Sequence, residues 1–200
     1  QRQMCIRDSY ILMSKFVLID GHSILNRAFY GVPIFTNSEG LHTNAVFGFL
    51  NIMFKIIDSK QPDYMAVAFD VHQPTFRHEM FKDYKGTRKP MMEELREQVP
   101  VIKELLQKMN ITTVELPGYE ADDVIGTLSK KGEKAGMEVD VISGDRDLLQ
   151  LASDHITICI PKTKKGQTTV EEYNTEGVRK LYKVTPTAVS YTHLRAHETS

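Results

Sequence analysis

Phe16-Val17-Leu18-Ile19-Asp20-Gly21 is an apolar run that ends in an aspartate and a glycine. Four consecutive apolar residues without polar alternation suit a strand covered on both faces, and Asp-Gly suits the turn that stops it. Tyr64 to Phe69 is again short and apolar and runs into Asp70, and Glu138 to Ile142 reads as the next strand, running into Ser143-Gly144-Asp145. Ile111 to Leu116 and His155 to Ile160 read as further strands. Between them lie helical signals. Val46, Leu50, Met53 and Ile57 step by helical spacing and predict a helix from Thr43 to about Lys60. Pro90 suits a first helical turn, and Leu95, Val99, Ile102, Leu106 and Met109 predict one long amphipathic helix after it. The Pro117-Gly118 turn leads into a helix from about Glu120 to Lys134 that Gly136 ends, and a short helix is expected from Asp147 to about Ser153. Strands alternating with helices predict an α/β fold built on a central, mainly parallel sheet flanked by helices.

In such a sheet ligands bind beyond the carboxyl ends of the strands. Asp20, Asp70 and Asp145 follow strands directly, Asp147 stands two residues on, and Glu120, Asp122 and Asp123 open the helix after the next strand. Seven carboxylates are thus expected on one rim. Like charges that close raise one another's pKa values, so cations must compensate them. Oxygen ligands without converging Cys or His select hard ions such as Mg²⁺ or Mn²⁺ over Zn²⁺, and two such ions are usual machinery for phosphodiester hydrolysis. Each motif also has a plain structural role: a turn or N-cap at Asp20 and Asp70, a cap with a surface ion pair at Asp145-Arg-Asp147, a dipole partner at Glu-Ala-Asp-Asp. Coincidence at one rim favours the metal.

Net charge is −1, with 25 basic and 26 acidic residues, and names no partner. Its distribution is more informative. From Arg77 to Lys89 five cations (Arg77, Lys82, Lys85, Arg88, Lys89) meet only Glu79 and Asp83, interleaved with Phe81 and Tyr84 and preceded by Phe76. Cations neutralise phosphates and aromatic faces stack bases, so this segment is a candidate nucleic-acid contact rather than a solvated loop. The two cysteines, Cys5 and Cys159, form no metal or redox motif, and no run of about 18 apolar residues or signal peptide occurs. A cytoplasmic protein without membrane contact is expected. Residues 1–12 and 190–200 extend no pattern and are read as foreign to a domain spanning 13–189.

Several motifs resemble a known family, the 5′-nucleases of bacterial DNA polymerase I with their phage and flap-endonuclease relatives. They are Leu18-Ile-Asp-Gly-His-Ser23 with Arg27-Ala-Phe29, Ala68-Phe-Asp70, Phe76-Arg-His78 leading to Tyr84-Lys-Gly-Thr-Arg88, Pro117-Gly-Tyr-Glu-Ala-Asp-Asp123 and Ser143-Gly-Asp-Arg-Asp147. The resemblance runs from about Met13 to about Val189. It implies a PIN-like nuclease fold with a helical arch. In it Asp20, Asp70, Glu120, Asp122, Asp123, Asp145 and Asp147 match metal-binding carboxylates, with two Mg²⁺ or Mn²⁺ ions in the intact family. Lys85 and Arg88 match contacts to the scissile phosphate, and Arg27, Arg77, Lys82 and Tyr84 would bind the nucleic acid. The implied activity is metal-dependent 5′-3′ exonuclease and flap-endonuclease hydrolysis of DNA in replication and repair, as part of a DNA polymerase I. The expected partner is DNA with a 5′ end, flap or branch, RNA-primed DNA included, bound by a monomer. Beyond Tyr182-Lys-Val-Thr-Pro186 the family continues into two more aspartates and a helical DNA-binding hairpin, both missing here, so the second ion would keep only part of its ligands. The competing readings are a non-catalytic fragment that binds branched DNA, and a PIN-type ribonuclease, which normally lacks the Tyr84-to-Arg88 motif.

Overall fold

In the computed structural model the described residues are 13–71, 73, 75–81, 90–164 and 167–189. Phe16 to Asp20 lie, as expected, in a strand, β1 (Lys15–Asp20). The chain continues through α1 (Gly21–Gly31), α2 (Asn44–Lys60), β2 (Tyr64–Ala68), α3 (Phe76–Met80), α4 (Glu93–Arg96), α5 (Gln98–Lys108), β3 (Thr112–Val114), α6 (Ala121–Lys134) and β4 (Glu138–Ile142). A 3₁₀ turn (Asp147–Leu151), β5 (Ile156–Lys164), β6 (Gln167–Tyr173), α7 (Thr175–Tyr182) and a second 3₁₀ turn (Pro186–Ala188) follow.

The strands form one six-stranded sheet in the order β3-β2-β1-β4-β5-β6. β1 to β5 are parallel, and β6 returns antiparallel to β5. The α/β expectation therefore holds, with one antiparallel strand at the edge. The path first steps outward from β1 to β2 and β3, then returns through α6 to lay β4 on the other side of β1. That reversal leaves a crevice between the carboxyl ends of β1 and β4.

Strand side chains alternate between two cores. Val17, Ile19, Val67, Phe69, Ile142 and Cys159 face α1, α2 and α5, whereas Leu18, Ala66, Ala68, Val141, Ile158 and Ile160 face α6 and the C-terminal turns. Coverage on both faces is the reason β1 and β2 run apolar without a polar beat, whereas β4 carries the buried Asp140. Two glycines permit the closest approaches. A Cβ on Gly21 would stand 2.4 Å from the Phe69 ring, and one on Gly48 would stand 2.8 Å from Ala28 Cβ where α1 crosses α2.

Three sequence expectations change. The single long helix after Pro90 is two helices: Pro90 lies outside them and Glu97 separates them. Pro100 lies in the first turn of α5 and has no N–H to donate to the Arg96 carbonyl, so the ladder from α4 is interrupted there. Met109 follows α5 and is 39% exposed instead of sharing its buried stripe. Third, Glu120 is the N-cap of α6 rather than a residue of its first turn. The segment from Gly21 to Gly31, unassigned by periodicity, is a helix capped by Asp20.

Candidate active site

Because β1, β2 and β4 are parallel, their carboxyl ends emerge on one edge. Asp20 pairs in register with Ala68, and Ile19 with Ile142, so Asp20, Asp70 and the turn from Ser143 to Asp147 leave the sheet at nearly one level. The start of α6 meets them there. Asp70 Oδ1 accepts the Ala121 N–H at 2.6 Å, tying the end of β2 to the first turn of α6. The Asp70 N–H donates to His22 Nδ1 at 3.1 Å.

Asp20 is 5% exposed at the centre of this edge. One oxygen accepts the Ser23 N–H at 3.1 Å, which caps α1, and the other accepts the Ser143 hydroxyl at 2.7 Å. The same Ser143 oxygen accepts the Asp145 N–H at 3.0 Å, and the Gly144 N–H donates to Ser23 Oγ at 2.9 Å. Two serines therefore fasten the loop carrying Asp145 onto the end of β1. Asp145 in turn accepts the Asp147 N–H at 2.9 Å. Sequence reading left Ser23 and Ser143 without a role, although both stand in the quoted motifs; a hydroxyl beside a buried carboxylate was the available signal.

Burial pushes the Asp20 carboxyl up to about 6, with the hydrogen bonds of Ser143 and Ser23 pulling against it and the charges of Asp70 and Asp145 adding to the rise. Asp122 rises to about 7, first through burial and then through the charges of Asp20, Asp145, Asp70 and Glu120. Five carboxylates thus share one field. They do not share one coordination sphere: among the described residues no three His, Cys, Asp or Glu side chains stand close enough together to hold an ion.

The remaining sequence-named residues divide in two. Arg77 on α3 forms a two-pronged pair with Asp123 at 2.7 Å for each nitrogen and approaches Glu120 at 3.6 Å. The Glu120 N–H donates to Asp123 at 3.1 Å, so Asp123 both caps α6 and anchors α3. Arg77, for which the resemblance implies a nucleic-acid contact, holds the acidic end of α6 here. Arg27 on α1 lies against Gly144, with its buried Nε lacking a hydrogen-bond partner among the described residues; burial lowers its pKa. Lys82, Tyr84, Lys85 and Arg88, and with them most of the expected arch, lie outside the described residues.

Residues 15–183 match the family model described as 5′-3′ exonuclease, N-terminal resolvase-like domain. DNA polymerase I of Bacillus caldotenax is 51% identical over 175 residues, covering 88% of this chain and 20% of that protein. A 5′-3′ exonuclease of Aquifex aeolicus (strain VF5) is 38% identical over 174 residues, covering 87% of this chain and 58% of that protein. The chain thus spans about a fifth of the polymerase it matches. In three dimensions the T5 5′-exonuclease with bound zinc superposes with a TM-score of 0.62 at 20% identity, over 85% of this chain and 61% of that one, a likeness of fold. An acidic rim at the strand-order reversal, joined to this match over most of its length, makes the chain a member of the 5′-3′ exonuclease family, carrying its N-terminal resolvase-like domain.

Proposed function

We propose that the chain is a divalent-metal-dependent nuclease that hydrolyses phosphodiesters near a 5′ end or flap junction of DNA, leaving a 5′-phosphate. The observation that carries this is the gathering of carboxylates where β1, β2 and β4 end and α6 begins; there burial and four neighbouring carboxylates push Asp122 up to about 7. A protein gains nothing in stability from such crowding, and a cation relieves it. The donor set fits a hard ion, since the groups whose charges meet at Asp122 offer oxygen alone. Asp20, Asp70, Glu120, Asp122 and Asp145 would have to draw closer together to hold a first ion; Asp147, which is exposed, and Asp123, once released by Arg77, would contribute toward a second. Mg²⁺ or Mn²⁺ there would polarise the phosphate and activate the attacking water.

The chain's own residues do the rest. Ser143 and Ser23 fix Asp20 relative to Asp145, so these two keep their relative positions while the other carboxylates close on an ion. Asp70, hydrogen-bonded to the first N–H of α6, holds β2 and α6 at a constant separation. Arg77 neutralises Asp123, which lowers the repulsion an incoming phosphate meets. Lys85 and Arg88 would offset charge on the scissile phosphate, and Arg27, Lys82 and Tyr84 would contact the strand. The unit responsible is residues 13–189, acting as a monomer.

The test is cleavage of a 5′-labelled flap with Mg²⁺ or Mn²⁺ by the chain and by its Asp122→Ala and Lys85→Ala variants. Cleavage that both substitutions abolish is the expected result. A chain that binds the flap yet cuts it with neither metal would be a branched-DNA-binding fragment instead.

A further inference from the structure

The outer face of α6 carries charge unevenly. Its first turn holds Asp122 and Asp123; its second half holds Lys130, Lys131 and Lys134. Thr127, Lys130, Lys131 and Lys134 fall at i, i+3, i+4 and i+7, one stripe of the helix. This stripe forms a wall of a groove of about 710 Å³ between α6 and the 3₁₀ turn, whose other wall includes Gln150 and Leu151. Asp122, Asp123 and Asp147 line the same groove at its upper end, so it opens directly from the acidic rim. From Asp123 to Lys134 the helix rises about 16 Å.

Lysines at a helix C-terminus complement its dipole, and that alone would explain their presence. It would not explain their azimuth. The dipole is satisfied by cations anywhere around the last turn, whereas these three stand on the groove-lining stripe. Lys130 is paired with Glu133 at 3.0 Å, and Lys131 and Lys134 are exposed. On the other side of the same stripe a second, apolar hollow of about 560 Å³ is lined by Phe76, Leu116, Tyr119 and Leu128, and it shares Asp123, Thr127 and Lys131 with the first. Phe76 and Tyr119 are 39% and 49% exposed, with ring centroids 5.8 Å apart.

We propose that α6 carries a single-stranded nucleic-acid track, in which Lys130, Lys131 and Lys134 contact successive phosphates leading away from the acidic rim while the Phe76–Tyr119 hollow takes an unstacked base. A cationic groove beside an exposed aromatic pair is the arrangement that binds single strands without reading sequence. A duplex keeps its bases stacked inside and cannot fill the hollow. The inference rests on reading the chain as a nuclease acting on nucleic acid, and it adds a path for the strand away from the rim.

The experiment is fluorescence anisotropy of a labelled single-stranded DNA in EDTA, so that binding is read without cleavage, over a range of salt. The triple variant K130Q/K131Q/K134Q is compared with K108Q/K180Q/K183Q, which removes three lysines elsewhere. A single strand releases about 0.7 counterion per phosphate neutralised, so the track variant should flatten the salt slope by about 2 and weaken binding tenfold or more. The control should keep the slope of the parent. Thr127→Glu, one exposed change in mid-stripe, should weaken binding in the same direction, and Tyr119→Ala should weaken single-strand binding while leaving duplex binding unchanged. Equal loss in the two triples, or a parental slope in the track variant, overturns the proposal. Should flap cleavage fail while the slope change persists, only the nuclease reading falls.

Discussion

Two buried aspartates on neighbouring parallel strands are treated in opposite ways. Asp140, on β4, is 9% exposed and meets Lys60 Nζ at 2.9 Å, which also reaches Glu172 at 2.8 Å. Asp20, at the end of β1, is 5% exposed and receives only a hydroxyl and a backbone N–H. The first has its cation supplied by α2; the second sits among further carboxylates and is pushed up to about 6. Where a buried carboxylate only holds the fold together, the chain provides the counter-charge. On the rim, where we propose that a cation binds, it supplies only neutral hydrogen-bond donors to Asp20 and leaves the carboxylates facing one another.

Breaking each half of that contrast should give opposite signs. The largest effect is expected at Asp20: Asp20→Asn should lower flap cleavage at least about a hundredfold, the scale for losing one preorganised electrostatic group. Thermal melts of the same variant without metal should show no loss of stability, since a repelled charge has gone. Lys60→Met should do the reverse. It leaves Asp140 buried without its cation and should cost about 3 kcal/mol in denaturant unfolding, while cleavage by the remaining folded protein persists. Adding Asp140→Leu should recover most of that loss; if it recovers none, the ion pair is not what Lys60 contributes.

Next in size is the pH response of the metal-free protein. A carboxyl whose value is raised on folding is neutral in both states at low pH and costs nothing there. As pH climbs from the unfolded value near 4 through the folded values of about 6 and 7, the folded state must accept charges that the unfolded state carries freely. Melting temperature should therefore fall as pH rises from 4 to 8. Mn²⁺ should restore more at pH 8 than at pH 5, and a melt indifferent to Mn²⁺ at pH 8 would remove the contrast. The smallest change is expected at Arg77. Its pair with Asp123 is part-exposed, so Arg77→Gln should cost about 1 kcal/mol, read by the same melts.

The strands and most of the helices were legible because their signals are local. An unbroken apolar run identifies β1 and β2, and Gly136, at a φ of +77°, ends α6 where a left-handed residue was anticipated. The break between α4 and α5 was legible too, in Pro100, but the apolar stripe that continues across it masked the signal. β6 was not legible. Gln167 to Tyr173 offers only Val170 and Tyr173 to the cores because it is the edge of the sheet, and its pairing with β5 is a property of both strands together.

By itself the sequence determined that aspartates would stand where strands end, since strand, turn and acid are read over a few residues. It also set the expectation that an all-oxygen donor set would suit a hard cation. Only the tertiary structure decided which of those acids are spoken for. Arg77 is 46 residues from Asp123, Lys60 is 80 from Asp140, and Ser143 is 123 from Asp20. Burial and charge compensation depend on what the folded chain brings alongside a side chain, and separations of that size leave no trace in a local pattern.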